Sequence, residues 1–415
     1  MASRKFDDNF CVIVLGDIGR SPRVTNHIVE LSENTQSSID VFCYENTSLP
    51  PSLLKQKINI YRLSYTLLGI AKYLPSLFYV ILRFIIESLQ IFYFLFFKSK
   101  KRYGYILVQN PPSFHIMMIL HIYKVIKNCS IIIDMHNYGY TLYQTNNQLI
   151  KRILKFLEIF WLKLTGNSYL VVSKAMSQEL ETTWGLTNVV VLYDKPNKTL
   201  FKPITLMEKH YFLEQFVEFK TDRQETFFTR LQGDDVVEKE NRPLLLLSSS
   251  SFTIDDDYET LLNALKQYEE RNNAKKIVLV MSGHGPEKEY WQKKFEQTHF
   301  DHINVLFKWF EPAKYPLMVA CADYGICMHK STSGVDLPIK ILDLQSCKIP
   351  VIAYAYSPTI KELVIENKNG YLFNTSSELA DILVRITSKN KRNFEWTFDD
   401  RDWKTEWKRN FYKVL

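Results

Sequence analysis

One stretch, residues 323–354, constrains the fold of this chain more than any other. It reads DYGICMHKSTSGVDLPIKILDLQSCKIPVIAY. Its apolar runs predict buried strands at 324–329 and 350–354, joined by a turn at 330–334 and a helix at about 337–346. A strand, turn, helix and strand in this order is the repeating unit of a parallel sheet, so the sequence predicts an α/β fold.

The turn of this unit has the chemistry of an anion site. Amide N–H groups are exposed where a helix begins, and hydroxyl groups beside them can complete a pocket for a diphosphate. The following helix carries Lys340 and Asp343 on one face, where a cation can meet phosphate and a carboxylate can accept from a ribose hydroxyl. We therefore predict a nucleotide-diphosphate site; the alternative is a capped helix with a solvated ion pair. The predicted turn residues are Ser331, Thr332, Ser333 and Gly334.

A similar pattern opens the chain. The apolar run at 10–15 is followed by a loop, GDIGRSPR, and a helical pattern. The glycine spacing, G-x-x-G, is not the dinucleotide fingerprint. Arginines at the start of a helix suit a phosphate-bearing ligand, with Asp17 held among them; the alternative is a simple turn with arginines facing solvent. The loop residues of interest are Gly16, Asp17, Gly19, Arg20 and Arg23.

A histidine follows another predicted strand, at 130–134. His136 comes directly after the strand end, where sheets of this kind bind ligands, and is followed by Asn137 and Tyr138. Its imidazole can exchange a proton near neutral pH or donate to a sugar hydroxyl. The alternative is a structural histidine.

The most apolar stretch is 67–97, but charged residues and a proline interrupt every window long enough to span a bilayer. We predict one or two helices that lie on a membrane, because the basic cluster KSKKR follows at once. Residues 67–102 would form the membrane contact. The alternative is buried helices of a large core.

Composition bounds the remaining possibilities. The 415 residues suffice for two α/β domains, and the net charge of +7 fits an anionic partner without requiring one. The six cysteines lack zinc-like spacing, so they are interpreted as reduced packing residues. No metal site and no nucleic-acid partner are predicted. The polar start MASRKFDDNF predicts neither a signal peptide nor an N-terminal anchor.

The pattern of strands predicts two doubly wound halves. We expect a first domain at 1–195, a linker with a surface helix at 196–242, a second domain at 243–398, and a C-terminal helix at 399–415 that packs back across the junction. Glycine loops after strands in the second half supply Gly283 and Gly285, and a later turn carries Trp309.

The whole chain resembles a known family. Blocks such as LGDIGRSPR, DMHNYGY, SGHGPEKEY and HKSTSGVDLPIKILDLQSCKIPV are similar to the GT-B glycosyltransferases that add the first mannose to the dolichol-linked precursor of N-glycans. The resemblance implies two facing Rossmann-like domains with a cleft between them. It implies inverting transfer of mannose from GDP-mannose to GlcNAc2-diphosphodolichol, forming a β1,4 bond on the cytosolic face of the endoplasmic reticulum membrane.

The resemblance also implies roles for residues. The 331–334 turn, Lys340 and Asp343 would bind GDP, the 283–285 loop would line the pocket, and Trp309 would lie near guanine. The acceptor would bind to the loops at 16–23 and 136–138. Asp17 and His136 are the candidates for the general base, and we favour Asp17, with His136 contacting the mannose.

Two departures from the family pattern stand out. The glutamate pair of many retaining relatives is absent, since Val335 and Asp343 occupy its positions. The polar start also predicts no N-terminal membrane anchor of the kind usual in the family. The resemblance implies no tightly bound cofactor, but it leaves room for an accessory divalent cation. Other mannosyltransferases of the pathway are possible partners. The rival hypotheses are a GT-B enzyme with another sugar nucleotide and an inactive membrane-bound scaffold.

Overall fold

The computed structural model describes residues 9–54, 57–64, 76–111, 114–142, 147–271, 275–331, 333–388, 394, 396 and 401–415, without the side chains of 76, 77, 114 and 142. Thr332 and residues 67–75 of the apolar stretch lie outside the described residues. The chain forms two compact units. The first is Met1–Asp194 with Trp403–Leu415, and the second is Lys195–Asp402.

The first unit contains a seven-stranded sheet in which every strand is parallel to its neighbours. Its strands are short apolar runs, and the central ones are buried along almost their whole length because helices cover both faces. The strand order is β3-β2-β1-β4-β5-β6-β7. The strands are β1 (Phe10–Asp17), β2 (Ile39–Tyr44), β3 (Ile58–Arg62), β4 (Tyr105–Asn110), β5 (Ser130–Met135), β6 (Ser168–Val171) and β7 (Val189–Val191).

In the described part of the first unit, five α-helices follow strands of this sheet. They are α1 (Pro22–Asn34), α2 (Ser76–Tyr93), α3 (Met117–Lys127), α4 (Gln148–Thr165) and α5 (Lys174–Thr182). A wider, π-type turn at Phe94–Lys98 continues α2. Short 3-10 helices occupy Ile18–Arg20, Pro51–Leu53, Phe114–Ile116 and Gly139–Leu142.

The second unit repeats the architecture with six parallel strands. Their order is β14-β13-β12-β15-β16-β17, so the direction of winding reverses between β12 and β15. Two apolar clusters, one on each face of the sheet, form its core. The strands are β12 (Leu244–Ser250), β13 (Ile277–Gly283), β14 (Ile303–Phe307), β15 (Tyr324–Cys327), β16 (Val351–Tyr354) and β17 (Gly370–Phe373).

The segment 196–242 is a folded part of the second unit, so its interpretation as a linker with a surface helix was wrong. It forms helix α6 (Leu206–Glu214) and a four-stranded antiparallel sheet. Phe212, Leu213 and Phe228 from this segment are buried in the core cluster of the unit. The strands are β8 (Lys220–Asp222), β9 (Glu225–Thr226), β10 (Thr229–Gln232) and β11 (Asp235–Glu238).

The remaining helices of the second unit are α7 (Tyr258–Glu269), α8 (Lys288–Glu296), α9 (Tyr315–Cys321), α10 (Ile339–Ser346), a 3-10 turn (Pro358–Glu362) and α11 (Ser376–Ser388). The last helix, α12 (Trp403–Phe411), belongs to the first unit. There Trp407 is fully buried and donates from Nε1 to Nδ1 of His27 in α1, at 3.0 Å. The chain therefore completes its first unit with its last residues.

Candidate functional site

The reversal of winding in the second sheet brings several loops together. At such a switch point two neighbouring strands send their loops to opposite sides, which leaves a crevice at the carboxyl ends of the strands. The loop after β12, residues 251–257, and the loop after β15, residues 328–338, leave the sheet at this point. The predicted 331–334 turn lies in the second of these loops.

The 331–334 turn is held by its own hydroxyl groups. Ser331 Oγ accepts from the backbone N–H groups of Ser333, at 3.2 Å, and Gly334, at 2.9 Å. These two amides are therefore engaged within the turn. Gly334 has a φ of +74°, a left-handed conformation that favours glycine.

The amides predicted from the sequence to bind an anion are those at the start of α10. The N-cap residue is Pro338, which makes no side-chain capping bond. The first N–H groups of an α-helix have no partner within the helix, so α10 offers donors and a positive dipole end. The amide of Ile341 is an exception, because it donates to the carbonyl of Pro338 at 3.1 Å. Lys340 lies in this first turn with its Nζ 3.8 Å from Oδ1 of the buried Asp256. Asp256 also accepts from Ser250 Oγ at 2.6 Å, which fixes the carboxylate that faces the lysine.

Asp343 follows Lys340 on the same helix and is half-buried. Burial raises the pKa of its carboxyl to about 7. Nearby, the Tyr315 hydroxyl lies 2.8 Å from Ser249 Oγ at the end of β12. A carboxylate placed this way gains from a ligand hydroxyl that donates to it, because such a hydrogen bond stabilises its ionised form.

Two predicted glycines allow loops to touch through their backbones. Gly283 ends β13 with a φ of +140°, and a Cβ there would overlap the carbonyl oxygen of Ser250. A Cβ on Gly285 would likewise overlap the carbonyl oxygen of Ser251. Trp309 is 46% exposed, and its ring centroid lies 5.3 Å from that of His284 in the same glycine loop. The structure therefore brings both glycines to the crevice and leaves an aromatic face open next to their loop.

Sequence reasoning missed two residues of this site. His329 Nε2 lies 3.3 Å from Oδ2 of Asp336, and the pair brackets the 331–334 turn. Burial opposes ionisation of Asp336, but hydrogen bonds from His329 and Ser331 outweigh it and lower the pKa of this carboxyl. The backbone carbonyl of Asp336 also accepts from Tyr356 after β16, at 2.6 Å. A histidine and an aspartate seven residues apart around a serine-rich turn were the available signal.

In the first unit, the loop after β1 carries the predicted Asp17. Its Oδ2 accepts from Thr47 Oγ1 at 2.8 Å, and its Oδ1 from the amides of Asn46 and Thr47. Partial burial opposes ionisation, but these hydrogen bonds outweigh it and lower the pKa of Asp17. Arg20 is exposed, with Nε 3.7 Å from Asp17. A side chain on Gly19 would collide with Thr47, so this glycine lets the two loops approach; Gly16 makes no such close approach.

Arg23 is not available to a ligand phosphate, so its predicted acceptor contact was wrong. It is 6% exposed and donates to both oxygens of Asp134, to Asp194 and to the carbonyl of Leu192, all at 2.8–3.0 Å. Burial disfavours its charge, but Asp134 and Asp194 outweigh that effect and raise the pKa of Arg23. Arg23 ties α1 to β5 and to the end of the unit.

The segment after β5 is divided between the interior and the surface. Tyr138 is 1% exposed, donates from its hydroxyl to Glu179 at 2.9 Å and packs on Trp184, so its predicted acceptor contact was wrong. Asn137 is half-buried and accepts from the amide of Tyr138. His136 is half-buried, with Nδ1 3.3 Å from the side-chain nitrogen of Gln109. Donation from that amide leaves the imidazole proton on Nε2, from which it can donate.

Within the described residues, no group of three or more histidine, cysteine, aspartate or glutamate side chains is arranged to hold a metal ion. All six cysteines are buried free thiols. One helix of the described chain, Phe78–Lys98, is long and apolar enough to cross a membrane, with 28% of it buried inside the protein.

The sequence is similar to characterised proteins over most of its length. It is 32% identical over 396 residues to the chitobiosyldiphosphodolichol beta-mannosyltransferase of Homo sapiens, covering 91% of this chain and 84% of that protein. The chain belongs to this family. The Dictyostelium discoideum member is 29% identical over 421 residues, covering 92% of this chain and 84% of that protein.

Other matches agree with the family and the fold. The chain is 32% identical over 413 residues to "UDP-glycosyltransferase TURAN" of Arabidopsis thaliana, covering 90% of this chain and 88% of that protein. Residues 232–397 match the family model "Glycosyl transferases group 1".

Among solved structures, sucrose-phosphate synthase from Thermosynechococcus elongatus matches with a TM-score of 0.62 at 14% identity, covering 92% of this chain and 90% of that one. The catalytic domain of starch synthase IV from Arabidopsis thaliana matches with a TM-score of 0.61 at 12% identity, covering 99% and 95%. The GT-B fold class and the glycosyltransferase family predicted from the sequence are therefore confirmed.

Proposed function

We propose that this family member transfers mannose from GDP-mannose to GlcNAc2-diphosphodolichol with inversion, forming a β1,4 bond. The names of the relatives support the acceptor and the sugar. One structural observation carries the donor half of the proposal. At the switch point of the second sheet, an uncapped helix start, Lys340 and a half-buried carboxylate, Asp343, follow one another along α10.

The donor would bind with its diphosphate against the first turn of α10. The amides and Lys340 neutralise the charge that develops on departing GDP, which is the electrostatic stabilisation that a glycosyl transfer requires. The side chains of Ser331 and Ser333, beside the predicted Thr332, line the same loop. Asp343 would accept from a ribose hydroxyl, the 283–285 loop would close the pocket, and Trp309 would offer its face to guanine.

The acceptor would bind to the loops of the first unit at 16–20 and 136–137. Inversion needs a base that removes the proton of the attacking hydroxyl. We assign this role to Asp17, while His136 donates to a mannose hydroxyl from Nε2. Arg20 is exposed next to Asp17, whereas Arg23 is engaged in the interior. We therefore assign Arg20 to the acceptor diphosphate.

The site would operate at the cytosolic face of the endoplasmic reticulum membrane, where a lipid-linked acceptor is available. Membrane contact through residues 67–102 and association with other mannosyltransferases of the same pathway complete this proposal. No resident cofactor enters the mechanism; an accessory divalent cation would assist the diphosphate.

The decisive experiment is a transfer assay with purified full-length protein and a phytanyl-linked chitobiose diphosphate. Radiolabelled GDP-mannose should label the acceptor. Labelling only from a UDP-sugar would overturn the donor assignment, a test motivated by the name of the Arabidopsis relative. No labelling from any sugar nucleotide, with the protein folded, would favour the scaffold hypothesis.

The donor pocket is tested separately by GDP binding. Lys340→Ala should weaken GDP affinity at least about tenfold, because it removes the cation that meets the diphosphate. Lys293→Ala, at an exposed lysine of α8, is the matched control and should bind GDP like the unmodified protein. Equal GDP affinity of the two variants would contradict the pocket.

A further inference from the structure

The surface of the first unit carries a concentration of exposed apolar side chains. Of the 30 large apolar side chains that are exposed in the described part of the chain, 18 lie on α2 with its continuation, α3 and α4. A monomeric soluble surface rarely gathers so many in one place. We call these 18 side chains the three-helix face. They are Phe78, Ile81, Ile85, Leu89, Phe92, Tyr93 and Phe97; Met118, Ile122, Val125 and Ile126; and Leu149, Ile150, Ile153, Phe156, Leu157, Phe160 and Leu164.

Each helix contributes a stripe. The exposed apolar residues recur every three or four positions, as on one side of an α-helix. In α4 the opposite side is buried against the unit, at Glu158, Leu162 and Thr165. These helices are therefore fixed to the protein on one side and apolar on the side that faces away from it.

The three helices are neighbours, so the stripes form one surface. The ring of Phe96, just after α2, contacts the ring of Tyr123 in α3 at a centroid distance of 5.4 Å. Lys124 Nζ and His121 Nδ1 of α3 approach the carbonyls of Thr165 and Leu164 at the end of α4, at 3.0 and 3.1 Å.

The exposed charges carried by these three helices have one sign. The only acidic residues in the three helices are Glu87 and Glu158, and both are buried, at 1% and 2% exposure. The exposed charges beside the α4 stripe are therefore cations, Arg152 and Lys163, and Lys98 follows α2. An apolar surface whose own helices expose only cations is complementary to a lipid bilayer with anionic headgroups.

Polar contacts hold α2 against the unit. Glu87 accepts from the Tyr44 hydroxyl of β2 at 2.7 Å and from Arg83 at 2.8 Å, and its other oxygen lies 2.8 Å from His115 Nε2. A helix that crossed the bilayer would have to give up this buried cluster and expose its carboxylate to lipid. α2 is therefore positioned to lie along a membrane surface, although its length and composition would allow it to span.

We propose that the three-helix face docks on an anionic membrane leaflet as a single surface, with α3 and α4 inserting their apolar stripes together with α2. This extends the membrane contact of the proposed function to two helices outside residues 67–102. It does not depend on the donor site, because membrane binding is measured without either substrate.

The test is flotation of the full-length protein with phosphatidylcholine vesicles, with and without phosphatidylserine. Binding should be strong only with phosphatidylserine. Ile153→Asp with Phe156→Asp in α4, and separately Val125→Asp with Ile126→Asp in α3, should each reduce the bound fraction at least about tenfold, because charges replace inserted apolar groups. Val217→Asp with Leu200→Asp, at exposed apolar residues of the second unit, is the control and should float like the unmodified protein.

The cations are tested in the same assay. Arg152→Glu with Lys163→Glu should lower binding to phosphatidylserine vesicles by about fivefold or more for each residue, whereas Lys266→Glu with Lys293→Glu in the second unit should not. Thermal unfolding must show every variant folded, which is expected because the replaced side chains are exposed.

Three results would overturn the proposal. Flotation of the α3 and α4 variants at the level of the unmodified protein would remove those helices from the contact. Retention of the unmodified protein on membranes in alkaline carbonate would indicate a spanning α2. Conversion of an oligomer to monomers by the aspartate variants, with vesicle binding unchanged, would make this face a contact between copies of the chain.

Discussion

At the scale of single residues, Asp343 connects binding to stability. Its pKa of about 7 is raised by burial, whereas the unfolded chain has an ordinary aspartate. The folded state therefore holds a proton that the unfolded state has lost between about pH 4 and pH 7, so this group makes stability fall as pH rises through that window. We predict that Asp343→Asn raises the melting temperature at pH 8 by about 2–4 °C, with no gain near pH 4.

The same substitution should weaken donor binding, because an amide is a poorer acceptor for ribose hydroxyls than a carboxylate. We expect the KM for the donor to rise at least about tenfold while the protein becomes more stable. Calorimetry at pH 8 and pH 4 together with donor titrations measures both effects. An unchanged KM would remove Asp343 from the site, and an unchanged melting temperature would contradict the effect of burial.

The assignment of Asp17 as the general base predicts how kcat falls at low pH. Because its pKa is lowered, Asp17 stays ionised down to below the ordinary aspartate range. With both substrates saturating, kcat should therefore stay level through pH 5 and then decline, and Asp17→Asn should abolish turnover while GDP still binds. A decline near about pH 6.5, the ordinary imidazole value, would favour His136 as the base.

Substitution of Arg23 distinguishes a structural role of this residue from a contact with the acceptor. Arg23→Ala would leave Asp134 buried without its main partner, which typically costs about 3–5 kcal/mol. We predict a lower urea midpoint for unfolding of the first unit. An increase in the KM for the acceptor with unchanged stability would restore the interpretation that the structure contradicts. Arg20→Ala, at an exposed position, is the matched variant and should change the acceptor KM without changing the midpoint.

The predicted site residues that the structure brings together are those whose neighbours are close in sequence. The 331–334 turn, Lys340 and Asp343 belong to one strand-turn-helix unit, so local patterns place them in the same crevice. Arg23 was misassigned because its partners are 111 and 171 residues away, and nothing in the local sequence reports that pairing.

At the scale of elements, apolar strands of four to eight residues were predictable, and short amphipathic strands were not. The strands of segment 196–242 contain only two to four residues, and most of their side chains are half-buried or exposed. Their stability comes from pairing with each other and from aromatic residues between them that enter the core of the second unit. The strands of this segment therefore lack the continuous apolar run by which β12 and β13 are recognised in the sequence.

The position of α12 depends on tertiary contacts with α1. Trp407 stacks on Phe411 at 4.2 Å and bonds His27, whose Nε2 lies 3.6 Å from Asp134. We predict that Trp407→Ala destabilises the first unit by about 3–5 kcal/mol, through the cavity left and the lost hydrogen bond. Urea unfolding measures the loss, with the half-buried Tyr412 replaced by alanine as a milder control. Equal effects of the two substitutions would show that α12 is not anchored by Trp407.

At the scale of the whole molecule, the chain crosses between its units twice, at residues 194–195 and 402–403, and each unit has its own sheet and its own core. Chains of this size with separate cores commonly unfold in more than one step. A ligand stabilises only the unit that binds it, by about 2.7 kcal/mol at a concentration of 100 times Kd. The donor site and the α12 contact thus provide independent probes of the two units.

We predict two transitions in scanning calorimetry of the full chain. Saturating GDP should raise the midpoint temperature of the transition that belongs to residues 195–402, because α10 and its pocket lie there. Trp407→Ala should lower the midpoint temperature of the other transition. Applied together, the two changes should add, since they act on different cores. A single transition that both changes shift would mean that the units unfold together, and a GDP shift confined to the transition that Trp407→Ala lowers would place the nucleotide in the first unit.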